Sequence, residues 1–486
     1  MTVIEAAPHP SAADRRAQGV DARARTPREA HTHWQPGPER EDPVAILQAQ
    51  DATREPDLVP VRHGRMMVSP FTFYRGSAAI MAADLAITPT AGLNVQLCGD
   101  AHLSNFGVFA SPERQLLFDL NDFDETLPGP FEYDVKRLAA SFAIAAANNK
   151  FSAEDTQQVV LKVGESYRTA MAGFAKTNTL DIWYSRMSEA DIQDGLVRLE
   201  REYAEVAKQA KRAGAPKTAI PSIERGREVF RKARTRTNLQ ALSKLTEVVD
   251  GRQRIVSQPP VLIPWRELES SAESDRPDLF DVVQEVYDRY RSTLNETRRR
   301  LLDRYRVVDA ARKVVGVGSV GTRAFIVLLE GRDAGDPLFL QVKEATRSVL
   351  EAHLPKSQFS TSGERVVQGQ QMMQSASDIF LGWSEGVQDD RFYYWRQLRD
   401  MKGSVPVEEL LPPGLTFYAE ICGWTLARAH ARSGDPVAIA AYLGTKRKFD
   451  RAIAEFAKAY AKQNEQDYQA FLDAINSGRL EAKTGV

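Results

Sequence analysis

Apolar positions recur with a helical period in some stretches of this 486-residue chain and with a two-residue period in others, and the changeovers divide it. Residues 1–55 carry few large apolar side chains among their Ala, Pro, Arg, Glu and Asp. They bury too little surface to offset chain entropy and are expected to form a disordered tail. From Val59 onward the pattern becomes globular. Phe71-Thr72-Phe73-Tyr74-Arg75-Gly76 leads into a helix-like segment at 77–85, and 95–98 reads as a short apolar strand. Residues 106–110 and 115–119 read as a hairpin turned at Ser111-Pro112-Glu113-Arg114. A helix starting at Tyr133 runs into Ala-rich sequence, and 152–306 reads as mostly helical, with apolar positions at helical spacing in 159–170 and 279–307. Period two then takes over in 313–318, 323–330 and 337–342, which are rich in β-branched and aromatic residues and separated by Gly-containing turns. A helix at 363–376, strands at 379–383 and 392–398, and helices from 415 to 474 complete the pattern.

Composition narrows the class without naming a chemistry. With 43% hydrophobic and 27% charged residues the chain has an ordinary globular balance and is long enough for two or three domains. A formal net charge of −1 gives no global reason to expect nucleic acid or an anionic membrane as partner. Cys98 and Cys422 are the only cysteines, which excludes a disulfide framework and a multi-cysteine metal site. No apolar run approaches the roughly eighteen residues of a membrane span, and the amino terminus lacks an apolar signal core, so a cytoplasmic enzyme is expected. The oligomeric state stays open. One basic stretch, about 198–254 with Arg225, Arg227, Arg231, Lys232, Arg234 and Arg236, reads either as a solvated helix face or as a positive wall for an anionic substrate.

Candidate chemistry concentrates in two places. Gly99-Asp100-Ala101-His102-Leu103-Ser104-Asn105 is followed, after the hairpin, by Asn121-Asp122-Phe123-Asp124. Phosphoryl transfer needs a carboxylate near the nucleophile and oxygen ligands for a hard cation. Asp100 suits the first role, Asn105 and Asp122 the second, with Asp124 as an additional ligand and Asp119 as the rival to Asp122. Far downstream, Gly316-Val317-Gly318-Ser319-Val320-Gly321 fits a glycine-rich phosphate loop. A dinucleotide fold would continue into a helix, but Thr322 to Leu329 is strand-like, so the glycines read as a flap between antiparallel strands. Lys343, one strand later, points opposite to Val342 and suits a grip on the α and β phosphates. Glu364 is the first choice for the carboxylate that orients it, Glu351 the second.

These motifs resemble those of aminoglycoside and choline phosphotransferases, whose His-Gly-Asp-x-His-x-x-Asn, Ile-Asp-Phe and Tyr-Asp-Leu-Ala segments match Asp100, His102, Asn105, Asp122 and Tyr133-Asp134-Val135. Cys98 replaces the first His of that pattern, which puts the internal bracing of the loop in doubt. The glycine loop and Lys343 follow the catalytic motifs instead of preceding them, and Leu426-Ala427-Arg428-Ala429-His430 resembles the helix that leads into the catalytic loop of those enzymes. The whole, including Arg62-His63-Gly64-Arg65-Met66 and Ser377-Asp378-Ile379-Phe380-Leu381-Gly382-Trp383, is similar to the bacterial family called domain of unknown function 2252. His430 reads as a core or capping residue, and Arg62, Arg65 and Arg75 read either as groups reaching phosphate or substrate or, preferred, as structural ion-pair partners.

The resemblance implies an α+β, two-lobed protein-kinase-like fold, circularly permuted and with a helical insertion. Its parts would be the tail at 1–55, a catalytic core at 56–150, the mainly helical insertion at 151–306, an ATP-binding lobe at 307–403 and completing helices at 404–486. Catalysis would involve Asp100, His102 and Asn105. Nucleotide would be held by Gly316, Gly318, Ser319, Gly321, Lys343 and Glu364, with Gln397, Leu398 and Arg399 as the adenine-pairing hinge. Mg²⁺ would be held by Asn105, Asp122 and Asp124. The expected activity is ATP- and Mg²⁺-dependent phosphorylation of a hydroxyl or amine on a small-molecule or protein acceptor. Transfer of AMP and a nucleotide-binding scaffold without turnover are the alternatives.

Overall fold

The computed structural model describes residues 9–212, 223–269, 279–314, 316–387, 390–398 and 401–485. Its amino-terminal segment is helical rather than disordered. A capping box on Ser11 starts the helix Ala12–Arg25, and the Asp42 side chain caps Pro43–Asp51. The few large apolar side chains suffice because Trp34, Val44 and Leu47 pack against the carboxy-terminal helices. Val44 and Leu47 are buried in a cluster with Phe471 and Ala474, and Trp34 packs edge-on to Tyr460 at 5.0 Å. Arg40 bridges Asp84 at 2.7 Å and Asp467 at 2.6 Å. Local composition underestimates a segment whose partners lie at the other end of the chain.

Four short strands surround the motif loops: β1 (Asn94–Leu97), β2 (Phe106–Ala110), β3 (Leu116–Leu120) and β4 (Leu127–Pro130). β1 pairs antiparallel with β4 and β2 with β3, whose free edge takes the two-residue β5 (Met187–Ser188). β6 (Thr246–Val249) and β7 (Arg252–Ile255) form a hairpin. The main sheet is built from β8 (Leu262–Pro264), β9 (Arg306–Lys313), β10 (Ala324–Glu330), β11 (Pro337–Ala345), β12 (Gly382–Glu385) and β13 (Phe392–Gln397). Its order is β12-β13-β11-β10-β9-β8, with every pairing antiparallel. Of the strand expected at 313–318, Lys313 ends β9, residue 315 lies outside the described residues, and 316–318 form a loop in which Gly316 sits at φ +70 in the left-handed region. The strand before it was hidden because Arg306, Asp309 and Arg312 interrupt its apolar alternation.

Two cores result. The larger runs through the helices Glu132–Asn148, Ala153–Phe174, Pro412–Ser433 and Lys448–Asn476, with Leu138, Val163, Leu426 and Ile453 at its centre. The second lies on one face of the main sheet, where Val327, Leu340, Val342 and Trp395 meet the helix Leu279–Ser292 and Tyr290 stacks on Trp395 at 4.5 Å. The other face carries Ile326, Leu328 and Phe339 under the helix Asn238–Leu245 and the β6–β7 hairpin. The stretch 151–306 is therefore split. Its first helix packs along Pro412–Ser433, whereas its later part clothes the sheet and donates β8 to it. Among the described residues no helix is long and apolar enough to cross a membrane.

Docking of the amino-terminal segment makes a direct prediction. Leu47→Ala should lower the free energy of unfolding by about 2–5 kcal/mol, read as a shifted midpoint in chemical denaturation. A detached tail would leave the midpoint where it is.

Candidate functional site

The loop carrying Asp100 is held from beneath. Gly99 has φ +85, and a Cβ there would collide with the main-chain oxygen of Glu125, so only glycine fits. Asp134, in the first turn of Glu132–Asn148, accepts the amide protons of Cys98 at 2.8 Å and Gly99 at 3.1 Å. His430 Nε2 lies 3.2 Å from the same carboxylate, and its Nδ1 lies 2.8 Å from the hydroxyl of Tyr167. Tyr418 donates to the carbonyls of Leu103 at 2.9 Å and Phe106 at 3.2 Å. The bracing that Cys98 put in doubt thus comes from Asp134, and His430 is a buried member of that support.

Asp100 is oriented by Arg137, whose Nε and Nη2 both reach Oδ1 at 2.8 Å. Burial works against the guanidinium, but the facing Asp100 raises its pKa above the ordinary value. Sequence reasoning missed Arg137. The available signal was its position three residues after Asp134, one turn along the same helix face. His102 Nε2 stands 3.7 Å from Asp100 Oδ2, outside hydrogen-bonding distance, and burial lowers its pKa to about 3. Asn105 donates from Nδ2 to the Asp100 carbonyl at 2.7 Å, which leaves Oδ1 as its ligand atom.

Across the cleft, β11 delivers Lys343 from the sheet. Its Nζ donates to Asp124 Oδ2 at 2.5 Å and lies 3.9 Å from Asp122 Oδ1. Tyr394 on the neighbouring β13 donates to Asp124 Oδ1 at 2.6 Å. Burial opposes the ammonium, yet Asp122 and Asp124 outweigh it and raise its pKa. The two carboxylates diverge. Burial and the charge of Asp124 push Asp122 up, while Lys343 and Tyr394 overcome burial and hold Asp124 down. Glu125, next along, is pushed up to about 7, chiefly by burial.

A cavity of about 680 Å³ is lined by Asp100, His102, Asn105, Asp122, Asp124 and the loop from Gly316 to Ser319. Ser319 Oγ reaches Asp124 Oδ2 at 3.4 Å. Gly318 sits against helix Pro70–Gly76 so closely that a Cβ would lie 2.9 Å from the Arg75 carbonyl oxygen. Gly321 accepts a hydrogen bond from the amide of Glu55 at 2.8 Å, and Arg65 donates to the carbonyl of Gly316 at 2.6 Å. A separate apolar cavity of about 290 Å³, lined by Leu196, Phe230 and Phe417, contains none of the motif residues.

Several expectations need correction. Glu364 is not beside Lys343; it sits in the first turn of Ser362–Met373 and accepts a hydrogen bond from Ser360 at 3.1 Å. Glu351 closes a capping box with Ser348 and lies 3.9 Å from Arg365. The lysine's partner is instead Asp124, more than two hundred residues away in sequence. Gln397 and Leu398 do not present free amides at the end of β13. Gln397 N donates to Asp378 at 2.5 Å and Leu398 N to Phe339 at 3.0 Å. Arg399 lies outside the described residues. Asp119, the rival metal ligand, is fully buried, paired with Arg428, and accepts from both the amide and hydroxyl of Ser375 at 2.8 Å. In the basic stretch, Arg231 and Lys232 are exposed and pair with Glu228, and Arg234 pairs with Glu189, which makes this a solvated face. Arg62 pairs with Asp51 at 2.8 Å. Among the described residues no group of three or more His, Cys, Asp or Glu is gathered as a metal cage.

Fold and site together define a mixed α+β protein with an acid-lined cleft between a helical body and an antiparallel sheet. The chain belongs to DUF2252, a family of uncharacterised proteins conserved in bacteria, whose family model matches residues 54–474. No curated protein and no solved structure matches it.

Support of the acidic loop by the buried Asp119–Arg428 pair is testable. Arg428→Met leaves a carboxylate uncompensated and should cost about 3–5 kcal/mol, whereas Arg198→Met at an exposed pair should change stability by less than about 1 kcal/mol. Equal midpoints for the two variants in urea denaturation would refute this role.

Proposed function

We propose that the protein is an ATP- and Mg²⁺-dependent phosphotransferase acting on a hydroxyl or amine of a small-molecule or protein acceptor. The observation that carries the reading is the meeting of Lys343 and Asp124, 2.5 Å apart, at the wall of a cavity that Asp124, Asp100, Asp122 and the glycine loop line. Sheet order adds support. The glycine loop joins β9 to β10, the lysine sits on β11, the helix Ser362–Met373 lies between β11 and β12 in sequence, and β13 inserts between those two strands. That order is compatible with a small nucleotide lobe whose lysine is on the third strand. Because the acidic loops precede this lobe and Pro412–Ser433 follows it, the two-lobed kinase-like arrangement would be circularly permuted, which a fold tolerates when termini are relocated to exposed loops.

In this reading Asp100 receives and orients the acceptor hydroxyl, with Arg137 holding its carboxylate in place. Orientation is the main requirement where the transition state is loose and positioning supplies most of the rate. Asp122, Asp124 and Asn105 Oδ1 fit a hard cation, since they are oxygen donors on an open site and the crowding that raises Asp122 is relieved by positive charge. Mg²⁺ bound there would neutralise phosphate charge. Lys343 then anchors phosphate oxygens from the sheet side, and the main chain of Gly316 to Gly321 covers them.

ATP with Mg²⁺ at a hundredfold its dissociation constant should stabilise the protein by about 2.7 kcal/mol, seen as a raised thermal midpoint. Lys343→Met should lose that shift, while Asp100→Asn should keep the shift and lose ATP turnover. No shift in the wild type would sink the proposal. The mass of the modified acceptor distinguishes phosphoryl from adenylyl transfer, and binding without turnover in both wild type and Asp100→Asn would favour the scaffold.

A further inference from the structure

Building on the nucleotide reading, we propose that the nucleobase subsite lies away from the end of β13. It would occupy the opposite arm of the cavity, between Val317 of the glycine loop and a wall of small apolar side chains formed by Ile46, Ala79 and Ala83.

The position beside β13 is closed. Its main-chain donors at Gln397 and Leu398 are already bonded to Asp378 and Phe339. The space next to it, lined by Phe109, Gln374 and Arg396, amounts to about 20 Å³. Arg396 fills it, donating to the Asn121 carbonyl and to Gln341 Oε1, both at 3.1 Å. Sites for ligands of nucleotide size occupy roughly 300–1,000 Å³, so a purine has no room there. The cavity that Lys343's partner Asp124 lines is of the right size, about 680 Å³, and shares no lining residue with that space. Beyond the glycine loop it reaches Ile46 and Ala49 of the helix Pro43–Asp51 and Ala79 and Ala83 of the helix Ala78–Ala86. Val317 and Ile46 flank the same apolar cluster. Val317, Ile46, Ala79 and Ala83 give this part of the cavity an apolar lining, which suits a planar heterocycle.

Charge along this arm suits the polyphosphate that a base would bring with it. Arg54 and Arg75 line the cavity, and the Nε of each is buried with no acceptor among the described residues. Arg54, with its side chain only 9% exposed, donates from Nη1 to the Val320 carbonyl at 2.6 Å, which places its charge against the glycine loop. Burial lowers the pKa of both arginines, a penalty that an anionic ligand removes. Ile46 precedes residues 54–474, the span that the family model matches. Base preference would thus be set partly by the segment ahead of that span.

Isothermal titration of the full chain with Mg²⁺-ATP and with inorganic triphosphate plus Mg²⁺ tests the subsite. Ala49→Trp, on an exposed helix face, and Ala83→Phe should each weaken ATP by about tenfold or more while leaving triphosphate affinity within about threefold. If Ala83→Phe lowers the thermal midpoint and loses both ligands, Ala49→Trp alone decides. ATP bound by Ala49→Trp as tightly as by wild type overturns the subsite and leaves the phosphotransferase reading standing. A wild type that binds neither ligand overturns both.

Discussion

A single lysine on a sheet and a single carboxylate on a loop set the width of the cleft. Lys343 is 3% exposed at its side chain and remains charged there because Asp122 and Asp124 face it, Asp124 at 2.5 Å. Removing one member of such a buried pair strands the other at a cost of about 3–5 kcal/mol, so sheet and helical body are obliged to meet at this distance. Further cations from the sheet side stitch the same seam. Arg365 donates to the carbonyls of Thr126 at 2.6 Å and Asp124 at 2.8 Å. Arg396 reaches the carbonyl of Asn121 at 3.1 Å. The loop from Asn121 to Thr126 is therefore gripped along its backbone, which leaves Asp122 the carboxylate with least compensation.

Below that seam lies a second layer, supplied by the carboxy-terminal helix Pro412–Ser433. Arg428 takes Asp119 at one end of β3, and His430, two residues on, takes Asp134 under the Asp100 loop. Buried polar groups of this kind hold a geometry firmly when each has its partner. Asp119 and Asp134 are fully used in support, whereas Asp100, Asp122 and Asp124 border the cavity. The protein thus separates carboxylates that build the loops from those that face the cavity, although all five fall within thirty-five residues of sequence.

Much of this was legible from the chain. Asp100, Asn105, Asp122 and the glycine loop stood out by residue type and spacing, and they border one cavity; strand alternation set Lys343 opposite Val342, as β11 has it. What escaped were pairings across long sequence distance. Glu364 and Glu351 were attractive as partners for Lys343 because they were near in sequence, and Asp124 was assigned only to a cation. The helices of the first fifty residues escaped for the same reason, since Leu47 and Trp34 find their neighbours on the last long helix. The end of β13 was misread in another way, because a side chain, that of Asp378, captures an amide that strand geometry alone would leave open.

The spacing of these partners also has a meaning in time. Asp124 and Lys343 are 219 residues apart, and Asp119 and Arg428 are 309 apart. At cellular elongation rates the acidic loop leaves the ribosome roughly ten to forty seconds before its lysine exists. During that interval Asp122 and Asp124 have no sheet lysine to meet, and Asp119 waits longer still for Arg428.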